Sequence, residues 1–245
     1  MPLPALSLRQ YLTYLAHQYK AVAKQHHGAM LALFARHIGR DSVVLDVGAH
    51  AGQFCKLFAG LAPEGRVYAF EPGAYARTIL ERMVRWRRLG NVEIVAAGLS
   101  DRPGSAGLAL PLKASGSLGF GLGHLGSDAS GRRLQTETVR LDTIDGFVAA
   151  RSLVRLDFIK ADIEGWEVRL LLGGRASLAR FHPALMLELV ADHLARADNR
   201  PAEVWDILTP LGYRGFRIEG ADELRPVDGY AGDADYLFVA AATPA

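Results

Sequence analysis

Short apolar runs alternate with apolar residues at helical spacing through the middle of the chain. The segment VVLDVGAHAGQF (residues 43–54) opens with three β-formers, and Phe54, Leu57, Phe58 and Leu61 then recur at a helical period. Further apolar runs typical of buried strands are GRVYAFEP (65–72), NVEIVAAGLSD (91–101), LDFIKADIEGWE (156–167) and PALMLELV (183–190). Because helical patterns separate these runs, the chain is predicted to form an α/β fold with a mostly parallel sheet.

Two parts of the chain depart from this alternation. YRGFRI (213–218) and DADYLFVAA (233–241) follow the last helical pattern and predict an antiparallel pair at one sheet edge. GSAGLALPL (104–112) and TETVRLDTI (136–144) predict two strands of an insertion, separated by a Gly- and Ser-rich stretch (113–133). That stretch has too little apolar content to form a core, and it is either a plain connection or a lid over a substrate.

The first 40 residues differ from the rest in charge, since they contain no Asp or Glu. Apolar residues recur there at helical spacing, namely Leu8, Leu12, Leu15, Tyr19 and Val22. We predict an N-terminal helical extension (1–40) that packs on a main domain (41–245) and leaves its cations in water. The alternatives are a surface for an anionic substrate or a membrane, and a transit peptide, which would be richer in Ser.

Composition narrows the function classes. The chain has 245 residues, of which 50% are hydrophobic and 22% charged, enough to bury one good core. A net charge of +2 is too near balance to argue for nucleic acid as the partner, and the chain has no Asn/Asp-Pro-Pro-Tyr run of the kind that nucleobase amino-group methyltransferases use. The single cysteine, Cys55, suits the reducing cytoplasm, and no apolar stretch is long enough to cross a bilayer. A homo-oligomer is left open.

The turn after the first predicted strand carries Asp46, Gly48 and Gly52. Glycines there permit positive φ and close backbone approach to a ligand. The spacing Asp-x-Gly-x-x-x-Gly matches neither the P-loop nor G-x-G-x-x-G, so a phosphate cradle is not expected. The turn therefore either binds another part of a nucleotide or is a generic strand-to-helix turn.

Acidic residues close several predicted strands, where open α/β sheets bind their ligands. Glu71 ends the second strand, and a carboxylate at that place can accept both hydroxyls of a ribose. Its alternative role is that of an acid favoured at a helix N-terminus. Ser100 and Asp101 end the third strand, where Asp101 could accept from an adenine amino group.

The runs VLDVGAHAGQF, VYAFEP, AAGLSDRPG, VRLDTI and FIKADIEGWEVRLLLGG, in this order, resemble the FkbM-type family of S-adenosylmethionine-dependent methyltransferases over Ser42–Val190. The resemblance implies a class I methyltransferase fold, Rossmann-like and seven-stranded, and O-methylation of a sugar, glycan or polyketide hydroxyl. It also implies that Gly48 and Gly52 line the methionine part of S-adenosylmethionine, Glu71 the ribose and Asp101 the adenine. His50 stands where the family often has Asn, and it is expected to hydrogen-bond the cofactor or nearby backbone.

Methyl transfer to an alcohol needs alignment and removal of the hydroxyl proton. Asp162 and Glu164, after the fourth strand, are the candidate bases, and Lys160 beside them would tune their charge. Structural alternatives are a helix cap for Glu164 and a plain ion pair for Lys160. Binding of Mg²⁺ is left as an open alternative, because oxygen ligands could come from Asp162, Glu188 and Asp192.

Two other classes of function share these features. An NAD-binding oxidoreductase could use the same turn and Glu71, but the glycine fingerprint is incomplete. A non-catalytic nucleotide-binding protein could retain the fold without the chemistry.

Overall fold

A computed structural model describes residues 8–111, 124–125 and 134–240. The α-helices are α1 (Leu8–Ala23), α2 (Leu31–Phe34), α3 (Gln53–Leu61), α4 (Ala74–Trp86), α5 (Ile144–Ala150), α6 (Glu167–Leu172), α7 (Arg175–Phe181), α8 (Ala191–Arg196) and α9 (Ala202–Leu208). Short 3-10 helices span Gly28–Met30 and Thr209–Leu211.

The strands are β1 (Val43–Val47), β2 (Arg66–Phe70), β3 (Val92–Val95), β4 (Gly98–Leu99), β5 (Gly104–Pro111), β6 (His124–Leu125), β7 (Leu134–Asp142), β8 (Phe158–Ala161), β9 (Ala184–Leu189), β10 (Tyr213–Glu219), β11 (Glu223–Val227) and β12 (Ala234–Ala240). Most of the predicted Gly- and Ser-rich stretch, and with it the lid hypothesis, lies outside the described residues.

The main sheet has the strand order β11-β10-β12-β9-β8-β1-β2-β3. Strands β3, β2, β1, β8 and β9 pair in parallel, and β12 is antiparallel to both β9 and β10. The predicted class, a Rossmann-like methyltransferase fold with an antiparallel edge, is confirmed. The sheet has eight strands instead of seven because β11 extends the edge by pairing with β10.

Both faces of the sheet are covered, which explains the continuous apolar runs in its strands. Successive residues of β1 belong to different hydrophobic clusters, Val44 to one face and Leu45 to the other. The same alternation places Phe158 on the first face and Ile159 on the second. The polar groups of the site therefore collect at the carboxyl ends of the strands, where the two apolar layers stop.

The two predicted strands of the insertion, β5 and β7, lie in a second sheet with the order β4-β7-β5-β6. The run predicted as the third strand is divided, since β3 joins the main sheet and β4 joins the second. The main element of the second sheet is the antiparallel pair of β5 and β7, in register from Gly104 with Leu141 to Pro111 with Leu134. Leu108 of β5 is buried and reaches the cavity described below. The insertion thus contributes to the wall of the site.

Helix α1 packs against α4, as expected for a helix on the core. The face that it buries is centred on Tyr14 and Ala21, whereas Leu15 and Tyr19 are 39% and 69% exposed. The apolar stripe chosen from sequence therefore includes residues that face solvent. The division of the chain at residue 40 stays a prediction. Among the described residues, no helix has the length and apolar character needed to span a membrane.

Candidate active site

The turn between β1 and α3 is held by backbone hydrogen bonds and by three residues with positive φ. Gly48, His50 and Gly52 have φ of 73°, 50° and 82°. The amides of Gly48 and Ala49 donate to the carbonyl of Phe70, at 3.1 and 2.9 Å. A Cβ on Gly48 would lie 2.1 Å from the carbonyl oxygen of Asp162, so only glycine fits between β1 and β8.

Glu71, directly after β2, is fixed by the same turn. Its Oε2 accepts from the amide of His50 at 2.9 Å and its Oε1 from the amide of Gly73 at 2.8 Å. The residue is 7% exposed and lines a cavity. Burial raises the pKa of Glu71 to about 7, and the two amides act against that rise. Two backbone amides thus position the carboxylate.

Lys160 is a buried cation at the end of β8, with 2% exposure. Its Nζ donates to the carbonyl of Gly48 at 3.1 Å and lies 3.8 Å from Asp46 and 3.6 Å from Asp162. Although burial alone would lower it, the two carboxylates hold the pKa of Lys160 above its ordinary value. Lys160 therefore connects the glycine turn to the acids at the strand ends.

Asp162 and Glu188 occupy neighbouring strand ends. Ala161 pairs with Leu187, so the next residue of each strand brings the two carboxyl groups together, and they hydrogen-bond. Burial works against ionisation of Asp162, but Lys160 outweighs it and lowers the pKa of Asp162. Burial and the neighbouring Asp162 raise the pKa of Glu188 to about 8. The pair thus retains a proton near neutral pH.

Glu164 lies in the turn after β8 with a φ of 56°. Its Oε2 is 2.9 Å from Nδ1 of His193, and burial with the charge of Asp162 raises its pKa. The carboxylate that closes the loop before α6 belongs to Glu167, which accepts from the amide of Ile163 at 3.0 Å. The N-cap of α6 is Trp166 and has no side-chain cap hydrogen bond, so Glu164 does not take the capping role proposed as its alternative.

These groups surround a cavity of about 400 Å³. Six of the ten predicted site residues line it, namely Gly48, His50, Glu71, Lys160, Asp162 and Glu164. Asp46 is fully buried beneath the cavity, and burial raises its pKa to about 6 against the opposing charge of Lys160. Gly52 faces α4, where a Cβ would lie 2.2 Å from Met83. Both residues support the site from behind.

Ser100 and Asp101 do not line the cavity. Ser100 Oγ donates to Asp101 at 2.9 Å and accepts from Nε1 of Trp166 at 3.0 Å, and Asp101 lies 3.7 Å from Arg169. Both side chains are therefore engaged with α6 and its preceding turn. Apolar wall near this strand end comes from Ala97, Gly98, Leu99 and Leu108. The geometry gives no support to the adenine role predicted for Asp101, which remains untested.

A metal at the strand ends also finds no support. Within residues 8–111, 124–125 and 134–240, no group of three or more His, Cys, Asp or Glu residues is arranged to hold an ion. Asp192, a proposed ligand, lines a separate hollow with His193 and Arg196.

The family model for the FkbM methyltransferase domain matches residues 46–215. The chain belongs to the FkbM methyltransferase family. The match starts within β1 and ends within β10, so the glycine turn, Glu71 and the Lys160–Asp162–Glu188 group all belong to the FkbM domain. Helix α1 lies outside it.

A solved structure of methyltransferase FkbM from Methylobacillus flagellatus KT is similar to 94% of this chain and 59% of that one, with a TM-score of 0.50 and 16% identity. This likeness supports the fold. The AMB antimetabolite synthetase AmbE of Pseudomonas aeruginosa is 32% identical over 209 residues, which is 73% of this chain and 10% of that protein. The chain therefore spans a tenth of the length of that relative.

The cavity lining that was not assigned from sequence includes three aromatic side chains, His27, Phe54 and Tyr75. Phe54 was interpreted as part of an apolar helix face and His27 as part of the basic segment. Phe54 ends the run VLDVGAHAGQF and lies on α3 directly after the glycine turn, so its place in the chain was a signal for the cavity. His27 belongs to no motif and lies in the cavity wall only because the N-terminal segment packs there.

Proposed function

We propose that this protein transfers the methyl group of S-adenosylmethionine to a hydroxyl oxygen of a sugar, glycan or polyketide-type natural product. The observation that carries the proposal is a single cavity lined by the glycine turn, by Glu71 and by the Lys160–Asp162 pair. Membership of the FkbM methyltransferase family supports the reaction type.

The residues present fit the cofactor chemically. Each oxygen of Glu71 uses one acceptor site for a backbone amide, which leaves further acceptor sites for the two ribose hydroxyls. The apolar wall of Ala97, Gly98 and Leu99 suits a flat purine ring. The acids around the cavity favour a ligand with positive charge. When bound, S-adenosylmethionine supplies an activated methyl group on a sulfonium centre.

The chain's own groups have to position the acceptor and hold its proton. Asp162 and Glu164 line the cavity and are the proposed bases. Lys160 keeps a negative charge on Asp162, and the hydrogen-bonded Glu188 lets the two acids share one proton. Proton removal is thus assigned to a coupled group of acids instead of one isolated carboxylate.

The acceptor class rests on less specific support. AmbE, the relative described above, is named as the synthetase of an antimetabolite, which agrees with a small natural product as the acceptor. The near-balanced charge of +2 agrees with a partner other than nucleic acid. Membrane contact through the basic N-terminal segment, self-association and a cytoplasmic location remain expectations from sequence.

Calorimetry with S-adenosylmethionine and with NAD tests the cofactor, and release of S-adenosylhomocysteine over a panel of hydroxyl acceptors tests the reaction. Asp162→Asn and Glu164→Gln should lower turnover by roughly two to four orders of magnitude while retaining cofactor affinity. Binding of NAD in place of S-adenosylmethionine would refute the proposal. Turnover that EDTA removes and Mg²⁺ restores would reassign the acids as metal ligands.

A further inference from the structure

The segment from Tyr14 to His27, here called the N-terminal wall, is attached to the FkbM domain along its length. The Tyr14 hydroxyl donates to Thr78 of α4 at 3.2 Å, and its ring meets Tyr75 edge-on at 5.6 Å between centroids. Gln18 accepts from Arg82 at 3.1 Å. Tyr14 is fully buried, so this contact is part of the core.

Two cations from the FkbM domain bind the C-terminal end of α1. Lys56 Nζ donates to the carbonyls of Ala21 and Lys24, at 2.6 and 2.5 Å. Arg87 donates to the carbonyl of Val22 through two nitrogens, at 2.9 and 2.6 Å. Carbonyls in the last turn of a helix have no partner within the helix, so these side chains satisfy them and fix where α1 ends.

Beyond that end, the chain contacts the start of α3 beside the cavity. The side chain of Gln25 donates to the carbonyl of Gln53 at 3.0 Å. The His27 ring stacks on Phe54, with centroids 4.2 Å apart and planes 20° from parallel. On α4, Tyr75 is hydrogen-bonded to Nδ1 of His17 at 3.2 Å. His27, Phe54 and Tyr75 all line the cavity.

The cavity has a cofactor half, lined by the glycine turn and Glu71, and an acceptor half, lined by the proposed bases Asp162 and Glu164. The contacts of Phe54 connect the N-terminal wall with the acceptor half. Lys160 Nζ lies 5.1 Å from the centroid of the Phe54 ring and 3.6 Å from Asp162. His27, Phe54, Lys160 and Asp162 therefore form a continuous series of contacts that leads to the proposed bases. Burial and the charge of Lys160 lower the pKa of His27, which favours the neutral form of its ring.

We propose that the N-terminal wall, which lies outside the family match, forms one side of the acceptor half through His27. The acceptor is then selected by His27 together with Tyr75 of α4, which His17 of the wall holds by a hydrogen bond. The inference rests on the proposed function. It gives the N-terminal segment a role inside the site, where a neutral aromatic surface faces the acids that hold the acceptor hydroxyl. Acceptors whose rings stack on His27 are admitted, and acceptors that clash with Tyr75 are excluded.

Single thiols test the position of the wall without a known acceptor. Cys55 is the one cysteine of the sequence and is buried, so a maleimide will report on His27→Cys, with the exposed neighbour His26→Cys as the matched control. We expect saturating S-adenosylhomocysteine to change the labelling rate at position 27 by less than about 2-fold, because it fills the other half. Protection greater than about 10-fold would place His27 in the cofactor half and overturn the proposal.

The selecting role is tested by turnover over methyl glycosides, cyclohexanediols and phenols. His27→Ala and Tyr75→Ala each remove one ring from the cavity, so they should change the order of preferred acceptors and raise KM roughly 3- to 10-fold, with S-adenosylhomocysteine affinity retained. His26→Ala should match the wild type. An unchanged order in both variants would overturn the proposal. Failure of the wild type to bind S-adenosylhomocysteine would instead refute the proposed function.

Discussion

The two halves of the cavity are held by different kinds of interaction. In the cofactor half, backbone amides fix Glu71, and the turn has a conformation that only glycine allows at Gly48. In the acceptor half, ionisable side chains contact one another, with Lys160 between Asp46 and Asp162 and Glu188 beside them. Backbone geometry hardly depends on pH, whereas a network of charges does. The backbone of the cofactor half is therefore expected to keep its conformation as the pH changes, whereas the charges of the acceptor half are expected to change with it.

The cofactor half should fail most completely when its backbone is disturbed. Gly48→Ala places a Cβ 2.1 Å from the Asp162 carbonyl, so β1 and β8 must separate. We expect abolished cofactor binding and a loss of more than about 4 kcal/mol of unfolding free energy. Calorimetry and urea unfolding measure the two effects.

Gly212→Ala is the matched control, because Gly212 also has positive φ, at 82°, but nothing lies within 4 Å of the added Cβ. It should cost about 1–2 kcal/mol, the conformational term alone. Equal losses of unfolding free energy in the two variants would show that the short distance between Gly48 and the Asp162 carbonyl does not affect stability.

In the acceptor half, removal of the central cation should give the next largest effect. Lys160→Met leaves Asp46 and Asp162 without their shared partner, and breaking a buried pair in this way costs roughly 3–5 kcal/mol. Arg36→Met, which breaks the exposed pair with Asp222, should cost at most about 1 kcal/mol. A Lys160→Met protein as stable as Arg36→Met would contradict the charge network.

Glu71→Gln tests the ribose assignment in the cofactor half. Loss of the charge should weaken S-adenosylmethionine binding by about 1.5–3 kcal/mol, or roughly 10- to 150-fold, the value of hydrogen bonds to a charged group. Calorimetry at pH 8 suits this test, because the pKa of Glu71 is about 7. Glu64→Gln, on the surface beside Arg40, is the control. Unchanged affinity in Glu71→Gln would remove Glu71 from the ligand set.

The smallest effect concerns pH. Burial and Asp162 raise the pKa of Glu188 to about 8 in the folded state, so the folded protein binds more protons than the unfolded chain between about pH 4.5 and pH 8. This contribution to stability is present at low pH and is lost as the pH rises through about 8. Glu188→Gln should therefore reduce the decline of unfolding free energy over this window, measured by urea unfolding at several pH values. Parallel pH profiles for variant and wild type would contradict the assignment.

Much of the cofactor half could be predicted because its requirements are local. Gly48 and Gly52 lie on one turn and Glu71 lies at the end of the next strand, where chain order and sheet geometry agree. Asp101 was placed by the same logic, but its carboxylate is engaged by Ser100 and Arg169. A position at a strand end thus predicts proximity to the site, and the direction of the side chain depends on neighbours from another helix.

The sequence by itself determined the α/β class, the mostly parallel sheet, the glycine turn and the acids at the strand ends, because period and spacing express local sterics and burial. Tertiary structure alone decided that His27 reaches the cavity 27 residues from position 54, that Leu15 and Tyr19 face solvent, and that Lys160 joins the two halves. These outcomes depend on how separate helices and strands pack. Many helix and strand faces have similar polarity, so the hydrophobic pattern of one segment does not predict which of them pack against each other.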